Sequence, residues 1–174
     1  RQLNDALFHA GLNSGSLSEY TDEPNRLHFY VIDIYKNDEG ILSYKVGVRS
    51  LDGSGPQKRG VSVVPYGKNK TKRFSEGYCY FKITNTGHNT EPDTTLHSGN
   101  NFTLTGDDIY RITVTSEGHG WTAALLNGLA ALKPGESEII PVWVSHTPES
   151  SPDARIFLTT TSDSDKNVSM TSSI

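Results

Sequence analysis

Apolar and polar residues alternate along much of this chain with the period of a β-strand. From Ile41 to Ser50, Leu42, Tyr44, Val46 and Val48 fall on one face, and Ser43, Lys45, Gly47 and Arg49 fall on the other. Successive strand side chains point to opposite faces, so this segment reads as a half-buried strand. The run from Leu27 to Tyr35, with His28-Phe29-Tyr30-Val31-Ile32 inside it, is dense in β-formers. Between the two runs, Asn37-Asp38-Glu39-Gly40 puts glycine where a turn needs positive φ. The two runs are therefore expected to pair as a hairpin. Its Leu42, Tyr44, Val46 and Val48 face should bury against a partner, because a lone hairpin is marginal in water.

Strand patterns recur further on. They cover Tyr78 to Thr84, the alternation of Tyr110, Ile112 and Val114 with Arg111, Thr113 and Thr115, then Trp121 to Leu126, Ile139 to Ser145 and Ala154 to Thr161. A weak last strand holds Val168 and Met170. Leu3, Ala6, Leu7 and Ala10 follow helical spacing instead, with Gly11 as a stop. Asn13 to Ser16 and Asp22 to Asn25 read as loops. Many short strands with turn signals between them predict an all-β antiparallel sandwich. The break at Asp52-Gly53-Ser54-Gly55-Pro56 divides the chain into an N-terminal segment, residues 1–60, carrying the hairpin, and a sandwich, residues 61–174.

Composition sharpens this picture. Hydrophobic residues make up 34% of the chain and charged residues 21%, with Ser, Thr, Gly and Asn filling the difference. That mix suits thin sheets with one wet face. The net charge of −4 argues against nucleic acid, which demands a basic surface. The densest basic stretch, Lys68 to Arg73, reads as a solvated loop. No apolar run approaches the roughly 18 residues of a membrane helix, so no membrane partner is expected. Cys79 is the lone cysteine and sits in the apolar strand pattern Tyr78-Cys79-Tyr80-Phe81, as a buried thiol would. The chain opens at Arg1 without an initiator Met, so any targeting segment is expected upstream.

Catalytic motifs were sought by their spacing, and no catalytic residue is assigned. The six histidines form no His-Glu-x-x-His and no i, i+4 pair. Asp52-Gly53-Ser54-Gly55-Pro56 lacks the spacing of a nucleophile elbow. Gly118-His119-Gly120 has no phosphate-loop continuation. Asp107-Asp108 would point to opposite faces of a strand and make a poor acid pair. A calcium site is the better use for these acids. The long segment from Thr86 to Asp108 carries Asp93, Asp107 and Asp108, and hard cations take loop carboxylates. No cofactor is expected unless these acids take up calcium. For ligand binding the candidate is Trp143. It lies between Val142 and Val144, so it points outward if they point inward. Tyr66, Tyr78 and Tyr80 could join it in stacking on sugar rings. Asn69, Asn101 and Asn167 each begin an Asn-x-Ser/Thr glycosylation string.

Phe81-Lys82-Ile83-Thr84-Asn85-Thr86-Gly87, Gly120-Trp121-Thr122 and Leu132-Lys133-Pro134-Gly135-Glu136-Ser137 resemble elements of fibronectin type III-like accessory modules of secreted bacterial hydrolases. The resemblance implies an Ig/fibronectin type III-like sandwich in which Trp121 packs into the core. Arg26 to Val31 and Val46 to Gly53 are also similar to C-terminal regions of secreted metalloproteases of the immune inhibitor A type. Together these imply a secreted, extracellular, non-catalytic accessory module. Its partners would be an upstream catalytic domain of the same polypeptide and a polysaccharide or protein substrate. The alternative is a carbohydrate-binding module that uses the exposed aromatics.

Overall fold

The computed structural model describes residues 19–55, 57–67, 77–88 and 106–174. The expected helix at Leu3 to Ala10 lies outside these residues, as do Asp93, Asn69 and Asn101. The described chain is all β, with eleven strands in three antiparallel sheets.

The N-terminal sheet contains β1 (Glu19–Asp22), β2 (Leu27–Lys36) and β3 (Leu42–Ser50), in the order β1-β2-β3. Gly40, at φ +83°, closes the β2–β3 turn. A bulge between Val31 and Asp33 adds Ile32 to the register. The second sheet orders β11 (Ser169–Ser173), β10 (Arg155–Ser162), β6 (Asp108–Glu117) and β8 (Leu129–Leu132). The third orders β4 (Val61–Tyr66), β5 (Gly77–Asn85), β9 (Ser137–His146) and β7 (Trp121–Leu125). Sequence patterning missed β1, β4 and β8, which are short or interrupted. Pro65 sits in β4, and β8 reads Leu-Ala-Ala-Leu with no polar alternation.

The second and third sheets face each other across the main core. Cys79, Phe81 and Ile83 of β5 and Ile140, Val142 and Val144 of β9 pack toward Tyr110, Ile112, Ile156 and Leu158. Trp121 joins them, and its indole Nε1 donates to Ser151 O at 2.9 Å. Cys79 is fully buried, and burial pushes its thiol up to about 11, so it stays protonated and inert at neutral pH.

The N-terminal sheet lies on the opposite face of the second sheet. A smaller cluster, Tyr30 and Ile32 with Ile109 and Leu129, joins the two. Here the hairpin departs from expectation. The face of β3 turned toward the sandwich carries Lys45, Gly47 and Arg49, while Leu42, Tyr44, Val46 and Val48 are each about half exposed. The inward seat is too close for an apolar row. A Cβ on Gly47 would stand 2.7 Å from Ile109 Cδ1. Lys45 Nζ reaches Ala131 O at 2.9 Å, and Asn127 Nδ2 donates to Ile32 O at 2.7 Å. The docking is thus made by a glycine seat and long polar side chains.

Candidate functional site

Two places in the fold concentrate side chains beyond what a sandwich needs. The first is the outward face of the third sheet. Strand pairing sets Tyr66 opposite Tyr80, and Tyr78 opposite Trp143, in adjoining rows. Directly opposed residues of an antiparallel pair share a face. Val142 and Val144 are fully buried, so Trp143 between them points out. Exposure is 45% for Tyr66, 42% for Tyr78, 38% for Tyr80 and 39% for Trp143, so all four rings line the surface. The Tyr78 ring meets Trp143 edge-on at 5.0 Å and lies nearly parallel to Tyr80 at 6.3 Å. Both distances fall in the range of favourable aromatic pairs. The structure therefore brings together the aromatic residues singled out from sequence.

The second place is the joint between the N-terminal sheet and the sandwich. It is built around Asp163, which is buried just beyond the end of β10. Tyr30 Oη donates a short hydrogen bond to Asp163, and Lys166 Nζ also closes on its carboxylate. Arg111 Nε donates to Asp163 Oδ1 at 2.9 Å, and Arg49 Nε lies 3.4 Å from Oδ2. Arg111 forks the other way onto Glu19, at 2.9 and 2.6 Å. His28 stacks on Tyr30 at 4.1 Å, and its Nε2 lies 3.0 Å from Glu19 Oε2. That contact is an ion pair when the imidazole is protonated. Glu19, His28, Tyr30 and Arg49 come from the N-terminal sheet, whereas Arg111, Asp163 and Lys166 come from the sandwich. The joint was not found from sequence. Its members are scattered from residue 19 to residue 166, and only their charge inside strand patterns could have flagged them.

Electrostatics at this joint gives a pH prediction. Burial opposes the Glu19 charge, but the Arg111 hydrogen bond and the neighbouring cations outweigh it and hold the carboxyl below its usual range. Burial, with the nearby Arg49 and Arg111, depresses His28 despite the attraction of Glu19. Both groups therefore bind protons less readily folded than unfolded. Their contribution is complete above the ordinary histidine value, about 6.5. It is lost as pH falls, first through the lowered His28 value and then through that of Glu19. The melting temperature should fall on acidification from about pH 7 to about pH 4, and should fall less steeply in His28→Asn. Parallel curves for the two proteins would reject this.

The calcium candidates are not gathered into a site by the described residues. Asp108 Oδ1 accepts Ile109 N at 2.9 Å and its Oδ2 accepts Ser162 Oγ at 2.6 Å, so this buried carboxylate is spent on the fold. Asp107 is held above its ordinary value by burial, despite Lys133 nearby, and its backbone carbonyl accepts from Arg59. Asp93 lies outside the described residues.

These features define an all-β, sandwich-like region, and comparison with known proteins shows the family. A family profile described as Peptidase M6-like domain matches residues 60–174, and this chain belongs to that family. A second profile, described as a middle domain, matches residues 1–51. A protein of Arthroderma benhamiae named "Putative secreted metallopeptidase" is 38% identical over 170 residues, covering 95% of this chain. The chain spans 25% of that relative's length. No solved structure matches.

The family corrects one expectation. The chain was read from sequence as a fragment of a secreted hydrolase that is not itself an enzyme, whereas it falls in a peptidase family and is similar to a protein named as a metallopeptidase. The absence of a catalytic motif from a segment that spans a quarter of a longer relative does not exclude an enzyme. The matching family is also peptidase M6-like, where the sequence motifs had suggested fibronectin type III-like modules. A metallopeptidase implies a metal. Among the described residues no group of three or more His, Cys, Asp or Glu is placed to hold one, so this donor set does not fit a metal centre.

Proposed function

We propose that this chain is the part of a secreted, extracellular metallopeptidase that stabilises and positions the enzyme, as fibronectin type III-like accessory modules do. It meets the rest of the polypeptide through the outer face of the N-terminal sheet. The observation that carries this reading is the inverted hairpin. Leu42, Tyr44, Val46 and Val48 form an unbroken apolar row on β3, and Tyr20 on β1 extends the exposed apolar surface across the sheet. Contiguous exposed apolar surface of this kind marks an interaction site. The inner face of the same sheet is already occupied by the sandwich, so the outer face is free to take a further layer. The Arthroderma relative is about four times as long as the matched segment, which leaves ample polypeptide to supply that layer.

The test uses the full-length protein. Val46→Ser combined with Val48→Ser should lower its melting temperature and expose new protease-sensitive sites between this region and the rest. Met170→Ser, exposed on β11, serves as the control and should change neither. Identical melting and cleavage patterns in the doubly substituted and unaltered proteins would reject the proposal.

A further inference from the structure

The aromatic face lies on the far side of the molecule from the N-terminal sheet, with two sheets between them. It therefore needs its own explanation. We infer that it is a binding platform for neutral polysaccharide, with Trp143 and Tyr78 as the stacking centre.

Isolated exposed aromatics are ordinary, but four in adjoining rows on one sheet face are not. None is needed to close the core, which is filled by the inward residues of the same strands. Tyr and Trp offer large, rigid, amphipathic contact area with little entropy to lose on binding. The C–H face of a sugar ring is apolar and its edges carry hydroxyls, so it matches an aromatic surface bordered by hydroxyls. Such borders are present at both ends of the face. Thr84 and Ser137 bond to each other at 2.8 Å beyond one end, and Thr122 and Ser145 bond at 2.8 Å beyond the other.

Charge decides among polymers. Among the described residues in the pairing rows that span the face, Lys82 is the one charged outward residue, and no carboxylate points out; the basic stretch Lys68 to Arg73, which follows Tyr66 in sequence, lies outside the described residues. A nucleic acid would require a cationic groove alongside the rings. An added peptide strand would bind at a sheet edge, whereas these rings stand on the faces of paired strands. An aromatic surface with so little charge among its described residues favours a neutral polymer whose recognition does not rest on ion pairs. The platform stands apart from the interface proposed for the N-terminal sheet, so either can fail alone.

The experiment is retention of the whole chain on insoluble chitin, cellulose and β-1,3-glucan, with heparin-agarose and immobilised gelatin as parallel matrices. The unaltered chain should bind at least one neutral polysaccharide and be insensitive to moderate salt. Trp143→Ala and Tyr78→Ala should each weaken that binding about tenfold or more, as loss of a central aromatic anchor does. Trp143→Tyr, which keeps a ring, should retain part of it. Both replaced side chains are partly exposed, so unchanged melting of the variants separates lost binding from lost folding. Thr113→Ala, exposed on the second sheet, should bind as the unaltered chain does. The inference is overturned if no neutral polysaccharide retains the chain, if Trp143→Ala binds undiminished, or if only gelatin or heparin retains it.

Discussion

Replacing Asp163 with alanine is expected to cost about 3 kcal/mol of stability and to free the N-terminal sheet from the sandwich. The carboxylate is buried and meets the Tyr30 hydroxyl and three cations. Removing it leaves those cations facing one another. Lys166 can turn to water, being 59% exposed, and Arg111 at 39% can do so in part, but Arg49 at 18% has little escape. For that reason the lower end of the cost of breaking a buried pair is the appropriate one. Asp163 N still donates to Ile109 O at 2.7 Å, so the local backbone should persist. The loss should therefore fall on the joint rather than on the main core. Urea unfolding of Asp163→Ala, followed by hydrogen exchange, should show β1 to β3 losing protection before β5, β6, β9 and β10. A single transition at the original midpoint would sink this account.

The Asp163 network also shows which parts of the structure the sequence could reveal. Sequence patterning located β2, β3, β5, β6, β7, β9, β10 and β11, and in β5, β9 and β10 the alternation is matched by burial of every second residue against the core. It could not decide which face of β3 is buried. Alternation defines two faces, and apolarity alone favoured the wrong one. The choice was made by Gly47, whose missing side chain lets Ile109 approach, and by Arg49 and Lys45, whose long side chains reach Asp163 and Ala131 O across the interface. A polar face buried through a shared acid looks, in sequence, like a solvent face. The reverse holds for the aromatic platform. Trp143 was assigned outward from its valine neighbours, and the register alone then placed Tyr78 beside it. Pairing across strands far apart in sequence cannot be read from local patterning.

Asn85 is the other residue whose loss should be felt most. Asn85-Thr86-Gly87 was legible only as a motif resembling other modules, and the structure supplies its physical basis. Asn85 is buried at the end of β5, with its amide turned into the chain. Nδ2 donates to Leu132 O at 2.9 Å and to Gly106 O at 3.3 Å, and Oδ1 accepts Gly87 N at 2.8 Å. One side chain thus ties the end of β5 to the end of β8 and to the entry of β6. Its backbone adds bonds with Glu136 O and Gly135 N, which hold the Pro134-Gly135 turn. Alanine would strand two carbonyls and an amide in a buried place. Each unmet group costs about 1–3 kcal/mol, and the long Gly106 bond belongs at the bottom of that range, so a total of at least about 3 kcal/mol is expected. For a chain of this size that corresponds to a drop of roughly 6–12 °C in melting temperature. Aspartate at this position separates shape from hydrogen bonding. It keeps the acceptor for Gly87 N but turns a second oxygen toward the carbonyls of Leu132 and Gly106. Asn85→Asp should therefore melt at least as low as Asn85→Ala at neutral pH and recover in part as the carboxyl is protonated. If Asn85→Asp melted with the unaltered protein, the donor half of the amide would contribute nothing, and the motif would have to be explained by Gly87 alone. That residue has its own constraint, since a Cβ there would stand 2.6 Å from Lys58 O.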